Sequence, residues 1–145
     1  MSDETKIKDQ ILAANDRFYA ALSQADLAAM TELWRHSPLT ECIHPGWDRI
    51  QGWTEIEASW SQIFQNQGPL PVQISHPTVG WRGEVAWVTC YENIIVQDGS
   101  DLQVSQMLAT NVFERVEGRW QMVIHHASPA PPGVIRPRSW QTSLN

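Results

Sequence analysis

The sequence predicts an α+β domain, three N-terminal helices followed by an antiparallel meander, and three observations carry that expectation. Apolar residues recur at helical spacing in three segments before Gly68. From Val72 onward the chain becomes β-branched and aromatic, broken at intervals by glycine turns. Its last two strands carry apolar residues on both faces. A chain of 145 residues falls in the size range of one domain, and its 42% apolar and 18% charged residues are those of a globular protein.

The first helix reads from Ile7, Ile11, Ala14, Phe18 and Ala21/Leu22, which share one face, with Ser2 or Asp3 placed to accept from the unpaired N–H groups of the first turn. Ser23-Gln24-Ala25 interrupts it. Asp26 can cap a second, short helix on which Leu27, Met30, Leu33 and Trp34 lie on one side, and Pro38 prevents its continuation. Thr40-Glu41-Cys42-Ile43-His44 then alternates, Pro45-Gly46 turns, and residues 47–51 return to complete a small hairpin. After Gly52, Ile56, Trp60 and Ile63/Phe64 mark a third helix, with Glu55 and Glu57 near its positive end, and Gly68-Pro69 stops it.

The remainder reads as four strands. Val72-Gln73-Ile74-Ser75-His76 alternates, and Pro77 forces an edge or a bulge before Val79 and Trp81 resume with shifted parity. Arg82-Gly83 turns into residues 85–96, Asp98-Gly99 into 102–116, and Glu117-Gly118 into 120–127. On the third of these strands Leu108 and Val112 oppose Met107, Ala109 and Phe113. On the fourth, Trp120, Met122 and Ile124 oppose Val123 and Ala127. One layer of helices covers one face of a sheet, so a symmetric second copy of the chain is the simplest cover for the other. The domain is expected over residues 1–131, with a proline-containing tail at 132–145.

Composition excludes several classes of partner. The net charge of -6, with ten scattered basic residues, lacks the positive footprint of nucleic-acid binding. Cys42 and Cys90, the two cysteines, form neither a disulfide framework nor a Cys-x-x-Cys site, which points to a reducing, cytoplasmic setting. No run of about 18 apolar residues occurs, so no membrane association is expected. The absence of His-Glu-x-x-His, of a carboxylate cluster and of a glycine-rich phosphate loop argues against a metal or other cofactor. Eight tryptophans need either walls to line or a large aromatic core.

Gly118-Arg119-Trp120-Gln121-Met122-Val123-Ile124-His125-His126-Ala127-Ser128-Pro129-Ala130-Pro131 resembles the last strand of the association domain of calcium/calmodulin-dependent protein kinase II, with Thr110, Val112 and Phe113 upstream also in pattern. The order of helices, hairpin, helix and meander is similar to the nuclear-transport-factor-2-like superfamily, including its SnoaL-like and ketosteroid-isomerase-like members. The resemblance implies a cone-like curved sheet, as in a cystatin-like roll, whose concave face and helices enclose a pocket, with dimerisation through the outer sheet face. It also places Glu92, Asn111 and Ala127 where the association domain carries pocket arginines. All three departures remove positive charge, which implies a neutral or hydroxylated ligand. The Asp, His and Tyr sets of the family's enzymes match no constellation here residue by residue.

Within such a pocket Glu92 is the candidate base, since burial among aromatic walls raises a carboxyl pKa, although a strand glutamate is more commonly solvated. His125 and His126 face opposite sides of their strand, and His125 shares parity with Ala127. Both histidines also have a structural alternative as sheet anchors. Asn111 or a tryptophan N–H could steady an oxyanion. His44 is expected at the mouth, with Trp34, Trp47, Trp53 and Trp60 as wall or core, and Cys90 and Tyr91 competing for the pocket face of their strand. Two functions stay open: a dehydratase, isomerase or cyclase acting beside a carbonyl, or a ligand-binding or oligomerisation module without catalysis.

Overall fold

The computed structural model describes residues 2–132, so the tail expected at 132–145 lies, beyond Pro132, outside the described residues. Helix α1 (Asp3–Gln24) is capped by Ser2, whose side chain accepts from Thr5 N–H. It ends at Ala25 in the left-handed conformation, φ 53°. Asp26 then caps α2 (Leu27–Leu33) by accepting from Ala29 N–H. The hairpin is shorter than its alternating pattern: β1 (Glu41–Ile43) pairs with β2 (Ile50–Gln51). Helix α3 (Trp53–Gln67) follows, bounded by Gly52 and Gly68.

The meander comprises β3 (Val72–Arg82), β4 (Val85–Asp98), β5 (Asp101–Val116) and β6 (Arg119–Pro129). Their registers close on two-residue turns at Gly83-Glu84, Gly99-Ser100 and Glu117-Gly118. The sheet has six strands in the order β2-β1-β6-β5-β4-β3. It is mixed rather than wholly antiparallel, because β1 joins β6 in parallel, with Cys42 opposite His125. The alternation of five residues could not show this, since a short strand pairs in either direction with the same pattern.

Two bulges shape the sheet. The first, between Ser75 and Thr78, sits where Pro77 lacks an N–H on the edge strand β3, as expected. The second lies in β6, where Val112 faces Ile124 and Phe113 faces Met122, leaving Val123 as the extra residue. It corrects the strict alternation expected for β6. Trp120 and Met122 are buried on the inner side, whereas beyond the bulge His125 and Ala127 are the buried residues and Ile124 is not. Met122 O at this point accepts from Arg35 N–H, which ties the end of α2 to the irregular strand.

The core lies between the helices and the inner sheet face. Ile11, Ala14 and Phe18 of α1, Met30 and Leu33 of α2, and Ile56 and Trp60 of α3 pack against Ala86, Val88, Ala109, Phe113 and Met122. The opposite sheet face leaves Trp87 40% and Leu108 38% exposed, with Val85 and Val104 also uncovered.

Candidate functional site

A cavity of about 380 Å³ lies between α3, the β1–β2 hairpin and the inner face of the sheet. Its apolar wall includes Leu22, Trp47, Trp60, Ile63, Val72, Ile94 and Met107, with Gln62, Asn66 and Gln67 contributed by α3. Among the described residues, the ionisable side chains lining it are Glu92, His44 and His125, with no Lys or Arg.

Glu92 projects from β4 and His125 from β6, brought to one face by the strand β5 between them and by the bulge at Val123. Glu92 Oε2 stands 4.0 Å from His125 Nε2, and both side chains are almost wholly buried. Burial raises the Glu92 pKa to about 7, although the O–H of Tyr19, which donates to Oε2 at 2.7 Å, works in the opposite direction. Burial lowers that of His125 to about 3, assisted by His44 and His126. Near neutrality His125 is therefore an uncharged imidazole beside a carboxyl that gains and loses its proton.

Asn111 stands behind this pair rather than in the cavity wall. Its Oδ1 lies 2.6 Å from His125 Nδ1, while its Nδ2 donates to Asn15 Oδ1 at 2.9 Å and to Tyr19 Oη at 3.1 Å. Both amide hydrogens are thus engaged inside the protein. Phe18, with its ring centroid 4.6 Å from that of His125, closes the side toward α1.

His44 comes from the loop after β1 and meets α3. Ser59 Oγ donates to Ile56 O at 2.7 Å, so its one hydrogen is committed and it accepts from His44 Nε2 at 2.9 Å. Trp47 and Trp60 stand edge-on to the imidazole, and burial lowers its pKa to about 4. Trp60 Nε1 is buried without a hydrogen-bond partner among the described residues.

Of the residues expected at the pocket, Glu92, His125, His44, Trp47 and Trp60 line one cavity. Trp34 is a core residue whose Nε1 donates to Met30 Sδ, and Trp53 stacks on His36 on the far side of α3, so neither lines it. Cys90 points inward beneath the cavity, 3.5 Å from Tyr19 Oη, and burial pushes its thiol up to about 11. Tyr91, one residue on, lies on the opposite face against His76. His126 is exposed. The periodicity of α1 singled out only apolar positions and so missed Asn15 and Tyr19. Their separation of one helical turn, beside Phe18, was the available signal.

Among the described residues, no group of three or more His, Cys, Asp or Glu side chains could hold a metal ion, and no helix is long and apolar enough to cross a membrane.

The family model for the SnoaL-like domain matches residues 11–132. A candidate dehydratase of the nuclear-transport-factor-2-like family from Streptomyces avermitilis is 31% identical and superposes with a TM-score of 0.78 over 90% of this chain and 99% of its own. A candidate calcium/calmodulin-dependent protein kinase II association domain from Thiobacillus denitrificans is 30% identical, with a TM-score of 0.75 over 82% and 94% of the two chains. The F-box protein SKIP8 of Arabidopsis thaliana is 32% identical over 118 residues, 81% of this chain and 48% of that protein, so the chain spans about half the length of this curated relative. The chain belongs to the SnoaL-like family of nuclear-transport-factor-2-like proteins.

Proposed function

We propose that this chain is a small-molecule enzyme that moves a proton at a carbon next to a carbonyl, as a dehydratase, isomerase or cyclase does. The observation that carries the reading is the buried Glu92–His125 pair, 4.0 Å apart in the wall of the cavity. Glu92 with a pKa of about 7 is matched to proton transfer near neutrality. As a carboxylate it takes a proton from the carbon beside the carbonyl, the C–H electron pair becomes the enolate double bond, and the oxygen takes the charge. Return of that proton to a different carbon is isomerisation. Loss of a β-hydroxyl as water, the leaving oxygen taking the proton from Glu92, is dehydration. The unpartnered N–H of Trp60 is the donor this reading assigns to the carbonyl oxygen.

The absence of Lys and Arg from the lining among the described residues favours a neutral or hydroxylated ligand. The similarity to a candidate dehydratase supports the reaction class. The similarity to an association domain supports a second reading, a ligand-binding or oligomerisation module without turnover. Either reading uses the uncovered sheet face around Trp87 and Leu108 for a second copy of the chain.

Proton abstraction is tested without knowing the natural substrate. Deuterium incorporation beside the carbonyl of small neutral cyclic ketones, incubated with the protein in heavy water, is followed by NMR. Wild type should accelerate exchange and Glu92→Gln should lose at least about 100-fold of that acceleration. Equal acceleration by both proteins, or none by wild type, would favour the binding module.

A further inference from the structure

The hydrogen bonds behind the cavity determine which face each imidazole offers to a ligand. Asn111 Nδ2 donates to Asn15 Oδ1 and Tyr19 Oη, which leaves Oδ1 as the atom facing His125 Nδ1 at 2.6 Å. A carbonyl oxygen only accepts, so the His125 proton resides on Nδ1 and Nε2 is bare, on the side where Glu92 Oε2 lies. His44 is held in the opposite sense. Ser59 has given its hydrogen to Ile56 O, so His44 Nε2 carries the proton, and Nδ1 faces Cys42 Sγ at 3.8 Å. The cavity thus contains two neutral imidazoles, each with its N–H turned into the protein.

We propose that Asn111, held by Asn15 and Tyr19, is a positioning residue that fixes His125 in the Nδ1–H tautomer, so that this imidazole meets a ligand with Nε2 as a bare acceptor and the cavity takes an uncharged compound bearing a hydroxyl. This deepens the enzyme reading by naming the ligand chemistry, and rests on that reading only for the identification of the cavity as the site. A hydroxyl directed at His125 Nε2 satisfies an acceptor that no hydrogen bond among the described residues fills. An ether of the same shape leaves it unfilled.

The tautomer is read from the imidazole ¹⁵N shifts of the ligand-free protein. Wild type should show His125 protonated at Nδ1 and bare at Nε2. Asn111→Asp, which keeps an oxygen acceptor, should retain this pattern, and Asn111→Leu should distribute the proton over both nitrogens. His125 protonated at Nε2 in wild type would overturn the proposal, even if neither variant folds. An Asn111→Leu protein that folds and keeps the wild-type tautomer would overturn the role of Asn111.

Phenol and anisole, similar in size, then probe the ligand class. Phenol should bind at least about ten-fold more tightly and move the His125 Nε2 resonance. Equal binding, or no binding of either, would overturn the hydroxyl preference. The tautomer and phenol results require no turnover. A protein that shows both yet fails to exchange ketone protons would lose the enzyme reading and keep this one.

Discussion

Glu92 holds its proton to about pH 7 because its burial in the cavity wall disfavours the charged form. The groups around it are Tyr19, Cys42, Cys90, His44 and His125, none of them a cation near neutrality. The folded pKa exceeds the ordinary glutamate value of 4.5, so the fold binds a proton that the unfolded chain releases. The associated stability is fully present below about pH 4.5 and is lost as pH rises through about 7. Glu92→Gln, which keeps an oxygen for Tyr19, should therefore stabilise the protein at pH 8 by on the order of 3 kcal/mol relative to its effect at pH 4. Urea midpoints at the two pH values measure this, and an equal effect at both would place the Glu92 pKa near that of an ordinary carboxylate.

The two cavity histidines act in the other direction. Their folded pKa values, about 4 and about 3, lie below the ordinary histidine value of 6.5, so stability falls as pH drops from 6.5 toward 4. Tyr19→Phe removes the hydroxyl that donates to Glu92 and accepts from Asn111, and should cost about 1–3 kcal/mol in chemical denaturation. A neutral result would mean that neither partner depends on Tyr19. Glu92 was legible in the sequence because strand parity sets a face, whereas His125 was reached only through its shared parity with Ala127 in the family resemblance. Tyr19 and Asn15 were not, because the helical period that located the core marked only apolar positions.

At the scale of elements, the helix caps and turns follow the sequence closely, whereas the β6 bulge does not. Ser2 and Asp26 accept from the first-turn N–H groups as their side chains allow, and each hairpin closes where a glycine permits a positive φ. The bulge at Val123 leaves no residue signature, since Val is as suited to a regular strand. Its consequence is large: it reverses the parity of β6, so that His125 rather than His126 is buried. The parallel pairing of β1 to β6 depends on the same long-range register, which short alternating segments do not encode.

Ala25 ends α1 with φ 53°, a conformation that costs an L-residue with a side chain. Ala25→Gly should stabilise the protein by about 0.5–1 kcal/mol in thermal or urea unfolding, the relief of strain exceeding the added freedom of the unfolded chain. A loss of stability would show that the left-handed cap is not strained. On β3, Trp87 lies over Gly80 so closely that a Cβ there would overlap the indole. The small residue at position 80 thus shapes the outer face that Trp87 presents.

For the whole molecule, helices cover one side of the sheet, and Val85, Trp87, Val104 and Leu108 remain uncovered on the other. A second copy placed face to face would remove this surface from water. Sedimentation or native mass spectrometry should find a dimer, and Leu108→Lys should shift it to monomer while leaving the fold intact by circular dichroism. A monomeric wild type would leave the outer face without its proposed cover. Fold and superfamily were readable from the order of elements. The ligand was not, because the cavity is assembled from α3, the hairpin and four strands far apart in sequence.

Proton transfer at this site depends on one carboxyl group, and its titration by ¹³C NMR in protein labelled at glutamate is the most direct measurement. Glu92, assigned by comparison with Glu92→Gln, should titrate at about 7. A midpoint near 4.5, the ordinary value for glutamate, would contradict a buried proton-transfer site at Glu92 and His125.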